Sequence, residues 1–236
     1  MSEPQLPEAE QPSSNNKIGN IIGILLATAL LLALIWRLPI NGWGSLVWFA
    51  MMSGMAIIRI PHERNALSTA TEDNRQDTVE NILLALVALG SGVLPALQLA
   101  TGLLSFASYT VPVWWPVLGV MLIVPGLWLF WRSHADLGRN WSVSLELRAE
   151  HGLVTQGVYA RVRHPMYSAI FLLYGGQALC VHNWLAGLSG LAAFLAMYLI
   201  RTPIEEAMMR DRFGDAYEEY CRVSGRLLPK LARTTT

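Results

Sequence analysis

The sequence predicts an all-α integral membrane protein with about six transmembrane helices, the last two a hairpin, and a cytosolic C-terminal amphipathic helix. Three observations predict it. The 236-residue chain is 53% hydrophobic and only 14% charged, whereas soluble domains carry roughly 25% charged residues. Six apolar runs hold no Asp, Glu, Lys or Arg: 18–36, 43–58, 82–104, 112–131, 166–181 and 184–200. Each reaches or approaches the roughly 17 to 25 residues that a bilayer-crossing helix needs. Finally, basic residues collect on alternate connections. Those around Arg37, Ser105 to Val111 and His182 to Asn183 hold only Arg37, and the other connections and both tails hold the rest. Under the positive-inside rule this places both termini in the cytoplasm and requires an even number of crossings, which six satisfy.

The first run is too long, and too poorly flanked by basic residues, for a cleaved signal peptide, so it is expected to be a permanent anchor. Residues 1–17 are rich in Pro, Glu, Ser and Asn and are expected to form a disordered cytosolic tail. In the next cytosolic loop, Asp77 followed by Glu80 has the spacing of a helix start for the third run. Gly90, Gly92 and Gly102 within that run allow close helix packing. After Arg201, apolar residues return at helical spacing among Glu205, Glu206, Arg210, Asp211, Asp215, Glu218 and Glu219, the pattern of an amphipathic helix or helix pair.

Composition also excludes functions. The 17 Lys and Arg balance the 17 Asp and Glu, so no nucleic-acid partner is expected, and no obligate protein partner is inferred. The apolar runs lack the ionisable groups that line ion and proton pathways. His134, His151 and His164 lack the paired spacing of a metal site, so no metal is expected. Cys180 and Cys221 fall at different depths and predict no disulfide.

Polar chemistry must then gather at the cytosolic face, where two clusters stand out. The first is H-G-L-V-T-Q-G-V-Y at 151–159 with R-H-P-M-Y at 163–167. Pro165 suits the first turn of a helix, whose free N–H groups beside Arg163 and His164 could hold a ligand's carboxylate. Equally, Arg163, His164, Tyr159 and Tyr167 could be interface residues closing off a transmembrane helix. The second is R-T-P-I-E-E at 201–206. Its local reading is a capping box, with Thr202 as cap, Pro203 first in the helix and Glu205 reaching back.

Taken together these segments, with F-G-D-A-Y-E-E-Y at 213–220, resemble the isoprenylcysteine carboxyl methyltransferase family and its phospholipid methyltransferase relatives over roughly residues 132–230. The G-R-N-W-S-V-S-L-E-L stretch at 138–147 is of the kind found in bacterial-type members. The resemblance implies a membrane-embedded carboxyl O-methyltransferase that uses S-adenosyl-L-methionine. Its lipophilic acceptor from the bilayer would be a prenylcysteine-like carboxylate, an isoprenoid or a lipid. It implies cofactor contacts at His151, Gly152, Leu153, Val154, Tyr159, Arg163, His164, Pro165, Met166, Tyr167 and Glu205. It places a substrate-orienting arginine at Arg201, with Glu205 and Glu206 beside it in the catalytic set.

The organisation that follows has 1–17 as tail, 18–131 as four transmembrane helices and 132–164 as a cytosolic connection with the cofactor motifs. Residues 165–201 would form the hairpin and 202–236 a cytosolic helix completing the site. A bacterial inner membrane is the expected location. The competing expectations are an NADPH-dependent reductase of the sterol-reductase type, and a non-catalytic membrane scaffold.

Overall fold

The computed structural model describes residues 14–66, 71–74, 78–138, 146–148 and 152–230. The segment 1–13, Asp77 and His151 lie outside the described residues. The helices are α1 (Ser14–Trp36), the single turn α2 (Leu38–Asn41), α3 (Gly44–Ala66), α4 (Thr78–Ala88), α5 (Leu94–Thr101), α6 (Pro116–Leu137), α7 (Pro165–Cys180), α8 (Trp184–Phe213) and α9 (Asp215–Val223). One pair of short strands, β1 (Thr71–Asn74) and β2 (Glu146–Arg148), joins antiparallel with Asn74 opposite Glu146. No strand is among the sequence-based expectations. Both strands sit in polar connections, where backbone groups outside the helices find partners in each other.

Four helical segments are long and apolar enough to cross a membrane: Gly44–His62, Thr78–Thr101, Pro116–Leu137 and Trp184–Phe213. Ile21–Trp36 is a shorter apolar helix. At 16 residues, α7 reaches about 24 Å, short of a hydrocarbon core of roughly 30 Å. The outer surface is apolar, with Leu25, Leu26, Ile57, Met121 and Leu199 all more than half exposed. Ser91, Gln98, Gln177 and Asn183 are buried inside. This distribution is the one a lipid solvent demands, because polar groups in hydrocarbon must find their partners within the protein. The protein is an integral membrane protein.

The core centres on α7, packed between α6 and α8 through Ile123, Phe130, Leu173, Tyr174 and Phe194, with Trp48 and Met51 of α3 against it. A π-helical turn, Leu89–Val93, joins α4 to α5. There Gly90 lies so close to α8 that an added Cβ would stand 2.6 Å from the Ser189 carbonyl carbon. The Gly90 carbonyl accepts from Gln177 Nε2 at 3.1 Å and Ser189 Oγ at 2.9 Å, so the widened turn is tied to both α7 and α8.

The first, third and fifth connections meet at one end of the bundle, as the charge pattern required of them. Asn183 caps α8 by accepting from the Leu185 and Ala186 amides at 3.1 and 2.9 Å, and donates to Leu104 O at 2.6 Å and Ser108 Oγ at 3.0 Å. Asn41 Nδ2 donates to Leu99 O at 2.7 Å.

One expectation fails here. The helix break at Thr202 does not exist, because α8 runs through Pro203 as one helix of 30 residues, and Thr202 is an interior residue, 2% exposed. A proline forfeits one backbone hydrogen bond, whereas ending a helix at this depth would orphan several.

Candidate active site

Opposite the Asn183 end, the start of α7, the last third of α8 and the start of α4 converge. As the sequence predicts, Pro165 occupies the first turn of α7, directly after His164. From there Tyr167 points back to α8, where its hydroxyl donates to Glu205 Oε1 at 2.7 Å. Arg201, one turn earlier on α8, donates its Nε to the same oxygen at 2.7 Å. The other side of that guanidinium meets Glu80 of α4, Nη1 to Oε1 at 3.0 Å. His164 stacks on Tyr167 with ring centroids 5.3 Å apart and planes 13° from parallel. Its ring bridges the two neighbouring glutamates, Nδ1 lying 3.7 Å from Glu205 Oε2 and Nε2 3.4 Å from Glu206 Oε1. Phe194 and Tyr198 stand edge-on to Tyr167 at 5.8 and 5.7 Å.

Adjacent in sequence, Glu205 and Glu206 occupy different environments. The Glu206 side chain is 3% exposed and is gripped by Arg226, whose Nε and Nη2 donate to its two oxygens at 2.9 and 2.5 Å. Arg163 Nε lies 3.7 Å away and Arg210 Nη2 3.8 Å away. The Glu205 side chain is 23% exposed. Its Oε1 accepts twice, while its Oε2 lies 3.7 Å from His164 Nδ1. Of the two, Glu205 is the more exposed and is not enclosed by arginines as Glu206 is.

Arg163 also faces inward. Its Nη1 donates to Ser224 O at 2.6 Å and Cys221 O at 3.3 Å, while the Arg163 and His164 amides donate to Gly225 O and Arg226 O at 2.8 and 3.0 Å. Residues 224–227 thus form a strap across the entrance of α7, closed by Ser168 Oγ donating to Leu227 O at 2.5 Å. The Arg163 and His164 amides, just ahead of the α7 first turn, are thereby spent on this strap.

Tyr159 is buried in the short 3₁₀ turn Gly157–Ala160. The turn is held by Asp136, which accepts from the Val158 amide at 2.9 Å. Gly157 adopts φ +58 with Asp136 against it, a conformation and a clearance that favour glycine. Burial, then the charges of Tyr220, Glu205 and Asp136, push the Tyr159 phenol far above its ordinary value. Burial also pushes Tyr220 up to about 12, against the pull of Arg163. Tyr220 therefore stays a neutral donor, giving its proton to Tyr159 O at 2.6 Å. Hydrogen bonding to Glu206 is the leading cause that holds Arg226 above its ordinary value, in keeping with a permanent ion pair.

Of the residues singled out in the sequence, the structure brings together Tyr159, Arg163, His164, Pro165, Tyr167, Arg201, Glu205 and Glu206. Met166 is half-buried in the first turn of α7. Gly152 is exposed, and Leu153 and Val154 are half-buried in the irregular segment that leads to the 3₁₀ turn. Three residues of the cluster were missed. Glu80 carried a signal that pointed elsewhere, to a helix cap. Arg226 and Asp136 act on residues 20 and 22 positions away, and no local spacing announces such pairs. Among the described residues no group of three His, Cys, Asp or Glu is arranged to hold a metal ion.

Residues 114–216 match the phospholipid methyltransferase family. The chain is 30% identical over 112 residues to protein-S-isoprenylcysteine O-methyltransferase B of Arabidopsis thaliana, covering 46% of this chain and 57% of that protein. It is 33% identical over 109 residues to the Homo sapiens protein-S-isoprenylcysteine O-methyltransferase, covering 45% and 38%. The chain spans about half the length, or less, of these curated relatives. Among solved structures, a eukaryotic intramembrane Ras methyltransferase, isoprenylcysteine carboxyl methyltransferase, has a similar fold. Its TM-score is 0.53 at 22% identity, covering 86% of this chain and 74% of that one. Residues 114–216 thus carry the match to the phospholipid methyltransferase family, within a membrane fold similar to that of the intramembrane methyltransferase.

Proposed function

We propose that this protein is an S-adenosylmethionine-dependent methyltransferase of a bacterial inner membrane, with both termini cytoplasmic. It would transfer a methyl group to a lipophilic carboxylate, of the prenylcysteine kind, drawn from the bilayer. The observation that carries the reading is the asymmetry of the two glutamates: Glu206 is locked into the frame, and Glu205 presents an oxygen beside stacked aromatic rings. A sulfonium cation fits this donor set, since aromatic faces and a carboxylate both attract a cation. The family names of the relatives favour methyl transfer over the reductase and scaffold alternatives.

When bound, S-adenosylmethionine supplies an electrophilic methyl group. The chain's residues do the rest. Glu205, Tyr167 and His164 hold the cation. Leu153, Val154, Tyr159 and Met166 supply the apolar and aromatic wall around the cofactor. Arg201 orients the acceptor carboxylate, which is ionised at neutral pH and needs no general base. Arg163, Arg226 and Glu206 keep the strap and the α7 entrance in register. In-line displacement needs mainly alignment of reacting atoms at about 3 to 3.5 Å, and such alignment can lower a barrier by roughly 7 to 11 kcal/mol.

The test is calorimetric titration of S-adenosylhomocysteine into purified protein and into a Tyr167→Ala, Glu205→Ala variant. Binding in the wild type, weakened at least about a hundredfold in the variant, is the expected result. No binding to folded wild type rejects the proposal.

A further inference from the structure

Glu80 lies outside the family-matched segment 114–216, yet its side chain belongs to the cluster. It is 4% exposed in the first turn of α4, where an acidic residue satisfies the positive end of the helix. It reaches across to α8 and meets Arg201 Nη1 at 3.0 Å. Glu205 already holds Nε of the same guanidinium from one turn along α8. A contact from within α8 alone lets the arginine swing with that helix's own side-chain rotamers. A second carboxylate from another helix, on a different nitrogen, fixes the orientation of the guanidinium plane.

We propose that Glu80 is a positioning residue, which aims Arg201 at the acceptor; this rests on the methyltransferase reading above. It follows that Glu80 governs the use of the acceptor while leaving the cofactor side of the cluster, at Glu205, Tyr167 and His164, in place. Three variants test it in the full-length membrane protein. Glu80→Ala removes the contact. Glu80→Asp withdraws the carboxylate by one methylene and serves where the alanine variant does not fold. Glu80→Gln keeps an oxygen acceptor of the same reach.

Affinity for S-adenosylhomocysteine and steady-state methylation of N-acetyl-S-farnesylcysteine are measured for each. The expected split is a fall of about tenfold to a hundredfold in kcat/KM for the acceptor in the Ala or Asp variant, the scale of a misplaced catalytic group. S-adenosylhomocysteine affinity stays within about twofold, and Glu80→Gln recovers most of the loss. Acceptor kinetics unchanged in the Ala or Asp variant overturn the proposal. So does a cofactor affinity that falls in step with the kinetics, or a Gln variant no better than Ala. A wild type that fails to bind S-adenosylhomocysteine, or fails to methylate the probe, removes the methyltransferase reading and the role of Glu80 together. Loss of the Glu80 role alone is seen as normal wild-type turnover with insensitive variants.

Discussion

The two ends of the bundle solve the problem of buried polarity in opposite ways. At one end, neutral groups do the joining: Asn183 uses both ends of its amide to tie the start of α8 to the loop at 104–108. At the other, charged groups do it: Glu80, Arg201, Glu205, Glu206, Arg163 and Arg226 crowd the entrance of α7. Neutral clamps are the cheaper means of holding helices, because no ion has to be stripped of water. A protein that needed only to hold its helices together could use them at both ends. The concentration of charge at one end is what the proposed active site calls for. Within that end a second contrast appears at shorter range, between a glutamate enclosed by arginines and its neighbour that is partly exposed.

The sharpest way to break the comparison is to unlock Glu206. Glu206→Gln leaves Arg226 and Arg163 facing a neutral amide and is expected to cost about 3 kcal/mol, the low end for a broken buried pair because Arg226 is half exposed. The loss is read as a lowered midpoint in thermal denaturation in detergent, with residual S-adenosylhomocysteine affinity in the protein that remains folded. At the neutral end, Asn183→Ala removes the α8 cap and two interloop bonds. A loss of about 2 kcal/mol of stability is expected with no change in ligand affinity, so a drop in affinity would erase the division between the ends. The smallest effect is expected outside both. Arg222 and Glu219 of α9 pair at 3.0 Å with side chains 77% and 64% exposed, and Arg222→Ala should shift stability by less than about 0.5 kcal/mol.

These regions were not equally legible in the sequence. The residues at 163–167 and 201–206 could be read because each is a short contiguous motif and together they carry the family resemblance, although their meeting across α7 and α8 is not something spacing could fix. The same locality misled at Thr202, where the letters of a helix start occur inside a helix that a membrane gives every reason to continue. Glu80 was visible too, but its local role as a cap hid the partner 121 positions away at Arg201. The strap at 224–227 was invisible, since backbone pairing carries no residue code, and the π-helical turn at 89–93 owes its shape to the approach of α8.

The unbroken course of α8 makes it a ruler as well as a support. Its 30 residues form a rod of about 45 Å, pinned in rotation by Asn183 at one end and by the crossing of Gly90 on Ser189 in its second turn. Adding or deleting one residue between that crossing and Arg201 would swing Arg201, Glu205 and Glu206 together by roughly 100° around the axis. A change of four residues would bring them nearly back to their bearing, one turn too far along. Length variation that the connecting loops can absorb would turn the whole cluster out of place in this stretch of helix.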